Sequence, residues 1–423
     1  MQKCFKSADI LLPDFTKTSP EKWAVIACDQ FTSEPEYWQK AEEFVGGEPS
    51  TLNMILPEVY LSQTEKRIPK INSTMKSYLS DLLVNHRDSA VFTERTQSDG
   101  SVRRGIVMAV DLESYDYRKG AKSLIRATEQ TVLERIPPRV AIRRGAALEI
   151  PHVMLLIDDP DMTVIEPLAV NCDGSVAYDF DMMLGGGHIT GKFIPQDEFE
   201  RIGNSLDALI SPESLEKKYG SPDIAPLLFA VGDGNHSLAS AKAAYEEVKA
   251  RKGEAALEHP SRFALCEIVN IHDPALKFEP IYRVMFGVDP EDVITQLCAY
   301  SDSLEGNSET QKVEYFAADG FSGNVEFLHP ELQLTVGTLQ SFIDLYIASH
   351  PGAKVDYIHG EDSVYKLSQT ENAIGFTFGG MEKDQLFKTV IADGALPRKT
   401  FSMGHAVDKR YYLECRRIGL DEN

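Results

Sequence analysis

The chain has 423 residues, 43% hydrophobic and 26% charged, values of a folded globular protein of two or three domains rather than a disordered one. Its 65 acidic residues against 43 Lys and Arg leave a formal charge of −22, which argues against a nucleic-acid partner and makes an anionic membrane surface a poor one. The apolar run Ile10 to Leu12 is too short for a signal-peptide core, no stretch approaches the roughly 20 apolar residues of a membrane span, and the six cysteines form no CxxC pair. A cytoplasmic protein with reduced thiols is expected.

Along the chain, the run from Trp23 to Cys28 reads as a buried strand that ends at Asp29. The stretch from Ser62 to Val84 reads as helical with a break at Pro69. The stretch from Val102 to Leu112 reads as a strand. From Gly120 to Glu134 the spacing of Leu124, Ala127, Thr131 and Val132 predicts a helix, ended by Pro137 and Pro138. The run from His152 to Ile157, bounded by Pro151 and the turn-forming Asp158-Asp159-Pro160, predicts a buried strand, as does the run from Pro226 to Val231. A helix follows with Leu238, Ala241, Tyr245 and Val248 on one side. After Pro290 short helices and strands alternate: helical at 292–300, extended at 313–316 and 325–328, helical at 339–349, extended at 355–358 and 373–378, helical at 383–392. The pattern places a domain boundary near 289, giving domains 1–288 and 289–423.

The passage strand–Gly232-Asp233-Gly234-Asn235-His236-Ser237–helix is the strongest local signal. A glycine-flexed turn feeding a helix leaves backbone N–H groups and the positive end of the helix dipole facing outward, an anion site in waiting. Glycines there would let backbone approach a ligand closely. The other reading is a plain turn with Asn235 or Ser237 as helix cap. Two basic islands supply a second signal. Residues 126–144 carry a local charge of +3 and residues 396–417 a local +4. Arginine forks match phosphate geometry, or these arginines pair with the plentiful carboxylates. Gly186 to Lys192 fits GxxxxGK, but Phe193 stands where the magnesium-binding hydroxyl belongs, so a Walker loop is rejected and a flexible turn expected. The stretch from Asp158 to Asp161 reads as a solvated acidic loop rather than a metal site. No HExxH helix, GxSxG elbow or Rossmann fingerprint is present.

Four passages carry a resemblance over most of the chain: IRATEQT (125–131), AVGDGNHSLASAKAA (230–244), CEIVNIHDPALKFEPIYRV (266–284) and ADGALPRKTFSMG (392–404). The chain is identified by them as a member of the family known as domain of unknown function 1015. That family looks related to the free serine kinases, whose fold is similar to the ParB nucleotide-binding domain and to sulfiredoxin. The resemblance implies an α+β (mixed α/β) fold: a ParB/sulfiredoxin-like core with an N-terminal extension and a C-terminal α/β domain whose LPRKTFSMG segment returns to the site. It implies Glu129, Asp233 and His236 as catalytic residues. Arg126, Gly234, Asn235, Ser237, Arg398, Lys399 and Thr400 are then the phosphate- and nucleotide-binding set, with Pro397 opening the late segment. The departures are Thr128 and Asn235 where the kinases carry histidines, and Ser237 where they carry an arginine. The implied activity is phosphoryl transfer between a nucleotide (ADP or ATP, with Mg2+) and free serine or a similar hydroxy amino acid, in either direction. The alternative is a non-catalytic nucleotide or phosphometabolite sensor. The partners expected are small molecules, without nucleic acid or membrane, and no protein-bound metal site is assigned.

Overall fold

The apolar runs of the first half become the middle of one sheet. The computed structural model describes residues 3–129 and 136–420, in two units: Met1–Ala127, Thr131–Leu276 and His405–Asn423 form the first, Thr128–Gln130 and Lys277–Gly404 the second. The fold is mixed α/β.

The first unit is built on a ten-stranded sheet. Its strands are β1 (Phe5–Lys6), β2 (Val91–Thr96), β3 (Val102–Asp111), β4 (Tyr115–Asp116), β5 (Ile125–Ala127), β6 (Met154–Ile157), β7 (Val176–Asp181), β8 (His188–Phe193), β9 (Phe229–Asp233) and β10 (Phe263–Asn270). They lie in the order β7-β8-β2-β3-β10-β6-β9-β5-β4, with β1 beside β3. The pairs β6/β10, β9/β5 and β4/β5 are parallel and the others antiparallel. The central strands β6 and β10 are covered on both faces, which is why they read as unbroken apolar runs. Along β3 the period is two. Ile106, Met108 and Val110 face a core with the helix Asn235–Lys252, while Val107 and Ala109 face a second core around Trp23 and Trp38. The predicted helix face, Leu238, Ala241, Tyr245 and Val248, is the buried one.

The segment after His405 is tied into this unit by buried charge. Arg410 pairs with Glu267 at 2.7 Å and with Glu414, Arg103 stands 3.7 Å from Glu267, and Tyr178 donates to Glu414. Burying an ion costs several kcal/mol unless it is paired, so these groups hold one another in place. Arg95 adds donors to the carbonyls of Gly186, Val407 and Lys409.

The second unit carries a six-stranded antiparallel sheet. Its strands are β11 (Phe278–Phe286), β12 (Gln311–Ala317), β13 (Ser322–Phe327), β14 (Lys354–His359), β15 (Ala373–Phe378) and β16 (Phe401–Met403). Their order is β13-β12-β15-β11-β14, with β16 on β11. Helices Pro290–Asp302, Thr335–Ser349, Glu361–Ser368 and Lys383–Ala392 accompany it.

Three expectations are corrected. Helix Thr64–Asp81 runs through Pro69 without a break. Glu65 and Pro69 are both exposed, so the carbonyl that loses its N–H partner meets water. The predicted helix from Gly120 instead contains strand β5, and its residues 130–134 lie outside the described residues. Parallel pairing with β9 and β4 overrides the local helical spacing. Arg126 and Glu129 therefore do not share a helix face. Finally, the Asp158 loop is solvated only in its second half: Asp158 and Asp159 are buried, whereas Pro160 and Asp161 are exposed. Asp158 is held by Tyr219 at 2.6 Å, His272 at 2.7 Å and Lys218 at 3.6 Å, and Asp159 caps the amides of Thr163 and Val164.

Candidate active site

In the first unit, β9 ends at Asp233 and the helix begins at Asn235. Between them Gly234 takes the left-handed conformation, φ 81°. A Cβ at Gly234 would lie 3.1 Å from Val153 Cα, and one at Gly232 2.7 Å from Leu156 Cγ. The glycines thus serve close packing of the turn on β6 and its approach. Asn235, His236 and Ser237 are half-buried in the first helical turn, and the His236 carbonyl accepts from Ser240 Oγ at 2.7 Å. The first intrahelical bond runs from Leu238 to Gly234 at 2.9 Å, so the amides of 235–237 lie outside the helical ladder at its positive end.

Asp233 is the electrostatic centre of this turn. Its carboxylate accepts the Gly234 N–H at 2.9 Å and stands 3.2 Å from Lys409 Nζ. Burial works against the charged form. The Lys409 and His152 charges and the bonds from Lys409 and Gly234 outweigh it and hold the carboxyl below the ordinary carboxylate value.

Around it lie groups that sequence reasoning missed. His152 is buried, with Nδ1 2.8 Å from the Tyr412 hydroxyl and its ring edge-on to Tyr412 at 5.3 Å. His152 Nε2 stands 3.7 Å from Asp29 Oδ2. Tyr412 donates to Cys28 Sγ at 3.0 Å. Burial pushes the Cys28 thiol up to about 12 and the Tyr412 phenol well above its usual value, so both stay neutral. The basic island at 396–417 was the available signal for Lys409, since it marks the right segment. Nothing local marks His152 or Asp29, whose meaning is set by the pairing of Val25–Ile26 with Tyr411–Tyr412.

In the second unit, Glu129 forms a parallel bridge with Leu396, and the Leu396 N–H donates to the Thr128 carbonyl at 2.7 Å. The next residues, Pro397 to Thr400, form a tight loop. Lys399 is left-handed (φ 56°) and exposed, and buried Thr400 donates to the Pro397 carbonyl at 2.7 Å. Fully buried Arg283 clamps the loop, donating to the carbonyls of Arg398 at 3.0 Å and Lys399 at 3.1 Å, and to Gln340 at 2.7 Å. Burial pulls Arg283 down to about 10, against the opposing influence of Tyr357, Asp344 and Glu129. Arg398 pairs with Asp344 at 3.0 Å on the surface. Arg283, Glu129, Arg398, Lys399 and Thr400 thus belong to one local arrangement.

The arginine islands are largely engaged with protein groups. Arg139 pairs with Glu58, Arg143 with Glu149, Arg144 with Glu247, and Arg416 with Glu149 at 2.7 Å. Arg126 is buried, and its Nε and Nη2 donate to the carbonyls of Ser123, Ala225 and Pro226. His188 opens β8 and sits between Asp181 at 2.7 Å and Asp179 at 2.8 Å, and Gly186 and Gly187 pack against Tyr411 and Thr96. No helix starts at Lys192, as the rejection of a Walker loop requires. No helix of the described residues is long and apolar enough to cross a membrane.

The chain matches no curated protein. Among solved structures it is similar to a conserved hypothetical protein from Pyrococcus furiosus (10% identity, TM-score 0.35), with 75% of this chain and 96% of that one covered. It is also similar to a free serine kinase variant in complex with ADP (10% identity, TM-score 0.38, 76% and 94% covered). A third is SbnI with a C-terminal truncation from Staphylococcus aureus (11% identity, TM-score 0.35, 75% and 89% covered). A family model matches residues 14–394, and with that span the chain belongs to the family described as Protein of unknown function (DUF1015).

Proposed function

We propose that the chain is a phosphotransferase that moves a phosphoryl group between a nucleotide and free serine or a similar small hydroxy amino acid. The observation that carries this reading is Asp233, kept ionised by Lys409 and His152 at the mouth of a glycine turn that feeds a helix N-terminus. The positions carried over from the serine kinases, Glu129, Asp233, His236 and Lys399, support it, as does the ordered Pro397–Thr400 loop beside Glu129.

In this reading Glu129 takes the proton of the substrate hydroxyl as its oxygen attacks phosphorus, and the nucleotide leaves with the electron pair. Asp233 orients the acceptor. His236, Ser237 and the amide of Asn235 face the phosphates at the helix start, and Lys399, Arg398 and Thr400 are the late loop's members of the phosphate-binding set that the resemblance implies. Arg126, with three carbonyls on its guanidinium, braces β5. A bound nucleotide supplies the transferable phosphoryl group. Among the described residues no group of three or more His, Cys, Asp or Glu side chains is disposed to hold a metal ion.

Incubation with ADP or ATP, magnesium and an amino-acid panel, read in both directions by mass spectrometry, tests the proposal. Phosphoserine or a close analogue is expected to form. Glu129→Gln should lower turnover by about 100-fold or more with the fold intact by circular dichroism. Retained turnover overturns the base assignment. Asn235 and Ser237, in place of a histidine and an arginine, favour a second reading as a nucleotide sensor. A nucleotide-induced rise in Tm without turnover on any panel member would establish that one instead.

A further inference from the structure

We infer that Arg283 is the positioning residue of the Pro397–Thr400 loop. Fully buried, it reaches no ligand itself. It sets the loop so that the N–H and the ammonium of Lys399 meet the oxygens of a phosphate group. That this phosphate belongs to a nucleotide rests on the phosphotransferase reading. The geometry that presents the loop lies wholly within the second unit.

A guanidinium carries five N–H donors in one rigid plane, and at Arg283 all three nitrogens are engaged. Nε donates to Gln340 Oε1 at 2.7 Å, Nη1 to the carbonyls of Ile281 at 2.6 Å and Lys399 at 3.1 Å, and Nη2 to the carbonyl of Arg398 at 3.0 Å. The strand beneath is fixed as well, because Arg283 lies in β11 opposite Tyr357 of β14 and Phe376 of β15. The centre of the Tyr357 ring is 4.6 Å from the guanidinium carbon. Gln340 is held in turn by its own bond to Asp344 at 2.8 Å, and Asp344 also takes Arg398 at 3.0 Å. Burial lowers Arg283 only to about 10, so at neutral pH it keeps its proton and every donor.

The effect on the loop follows from peptide geometry. In a trans peptide the C=O and the N–H of the next residue point in opposite directions. With the Arg398 carbonyl turned in on Arg283, the Lys399 N–H is turned out. Neither that N–H nor the exposed Lys399 ammonium has a protein partner among the described residues, whereas Arg398 is engaged by Asp344. Lysine disfavours the left-handed backbone found here, φ 56°, so the loop needs an anchor, and two carbonyls on one buried cation provide it. A main-chain N–H and an ammonium offered by the same residue from a fixed backbone suit the oxygens of one phosphate group.

Calorimetry on the full chain with ADP, inorganic pyrophosphate and adenosine tests this. Arg283→Met should weaken ADP and pyrophosphate at least tenfold and leave adenosine within twofold. Gln340→Met, which loosens the guanidinium without removing it, should weaken the same two probes about threefold and serves if Arg283→Met does not fold. Unchanged pyrophosphate affinity in the folded variants overturns the assignment. So does an equal loss of adenosine, which marks a purely structural role, or wild-type protein that binds neither ADP nor pyrophosphate. If pyrophosphate binding depends on Arg283 but no phosphoserine forms, the phosphotransferase reading falls and the positioning role stands. If phosphoserine forms with its KM for the nucleotide unmoved by Arg283→Met, the positioning role falls and the reaction stands.

Discussion

Gly234 shows how one backbone position can be demanded by packing alone. Its φ of 81° and the 3.1 Å separation that a Cβ would have from Val153 Cα act together. Gly234→Ala should destabilise the protein by about 1–3 kcal/mol in urea unfolding, and an unchanged midpoint would contradict this account. His188 offers a titration at the same scale. Its bond to Asp181 raises its pKa above the ordinary histidine value, against its burial, with further help from Asp179. A raised folded value means that the contribution to stability is complete below about pH 6.5 and is lost as pH rises through the folded pKa. Asp181→Asn should move the His188 titration, followed by NMR, to lower pH. Residues of this kind were only partly legible in the sequence. Asp233 announced itself by its turn, whereas Lys409 lies 176 residues further along the chain, and no local pattern encodes a contact of that separation.

Among the elements, the Pro397–Thr400 loop separates stability from function. A left-handed lysine is strained by about 1 kcal/mol, so Lys399→Gly should leave the second unit as stable or up to about 1 kcal/mol more stable while weakening phosphate binding. A loss of both would mean that the side chain holds the loop together. Long apolar runs bounded by turn residues, such as those of β6 and β9, and helices with a clear apolar face, such as Asn235–Lys252, could be read directly because burial alone decides them. The three residues of β5 could not. So short a strand owes its conformation to its two neighbours, β4 just before it and β9 from a distant part of the chain, and its own sequence carries a helical spacing. Pro69 failed as a helix breaker for the opposite reason: on an exposed face the disrupted hydrogen bond is repaired by solvent.

For the whole molecule, the buried carboxylates set the acid limit. Glu149, opposed by its burial, is held below the usual value by Arg416 and Arg143, and Glu267 likewise by Arg410 and Arg103. Depressed folded values mean that the unfolded chain binds more protons as pH drops. Stability from these groups is therefore present at neutral pH and lost progressively below about pH 4. Thermal melts should fall steeply in that acid window, with Glu149→Gln weakening the fall. The same network has a consequence for biosynthesis. Glu267 leaves the ribosome 143 residues before Arg410, its partner at 2.7 Å, so the large sheet emerges with Arg103 near that buried carboxylate but without its closest partner. Translation must run through the whole second unit before the first can close, which makes the nascent first unit a natural client for chaperones during that interval.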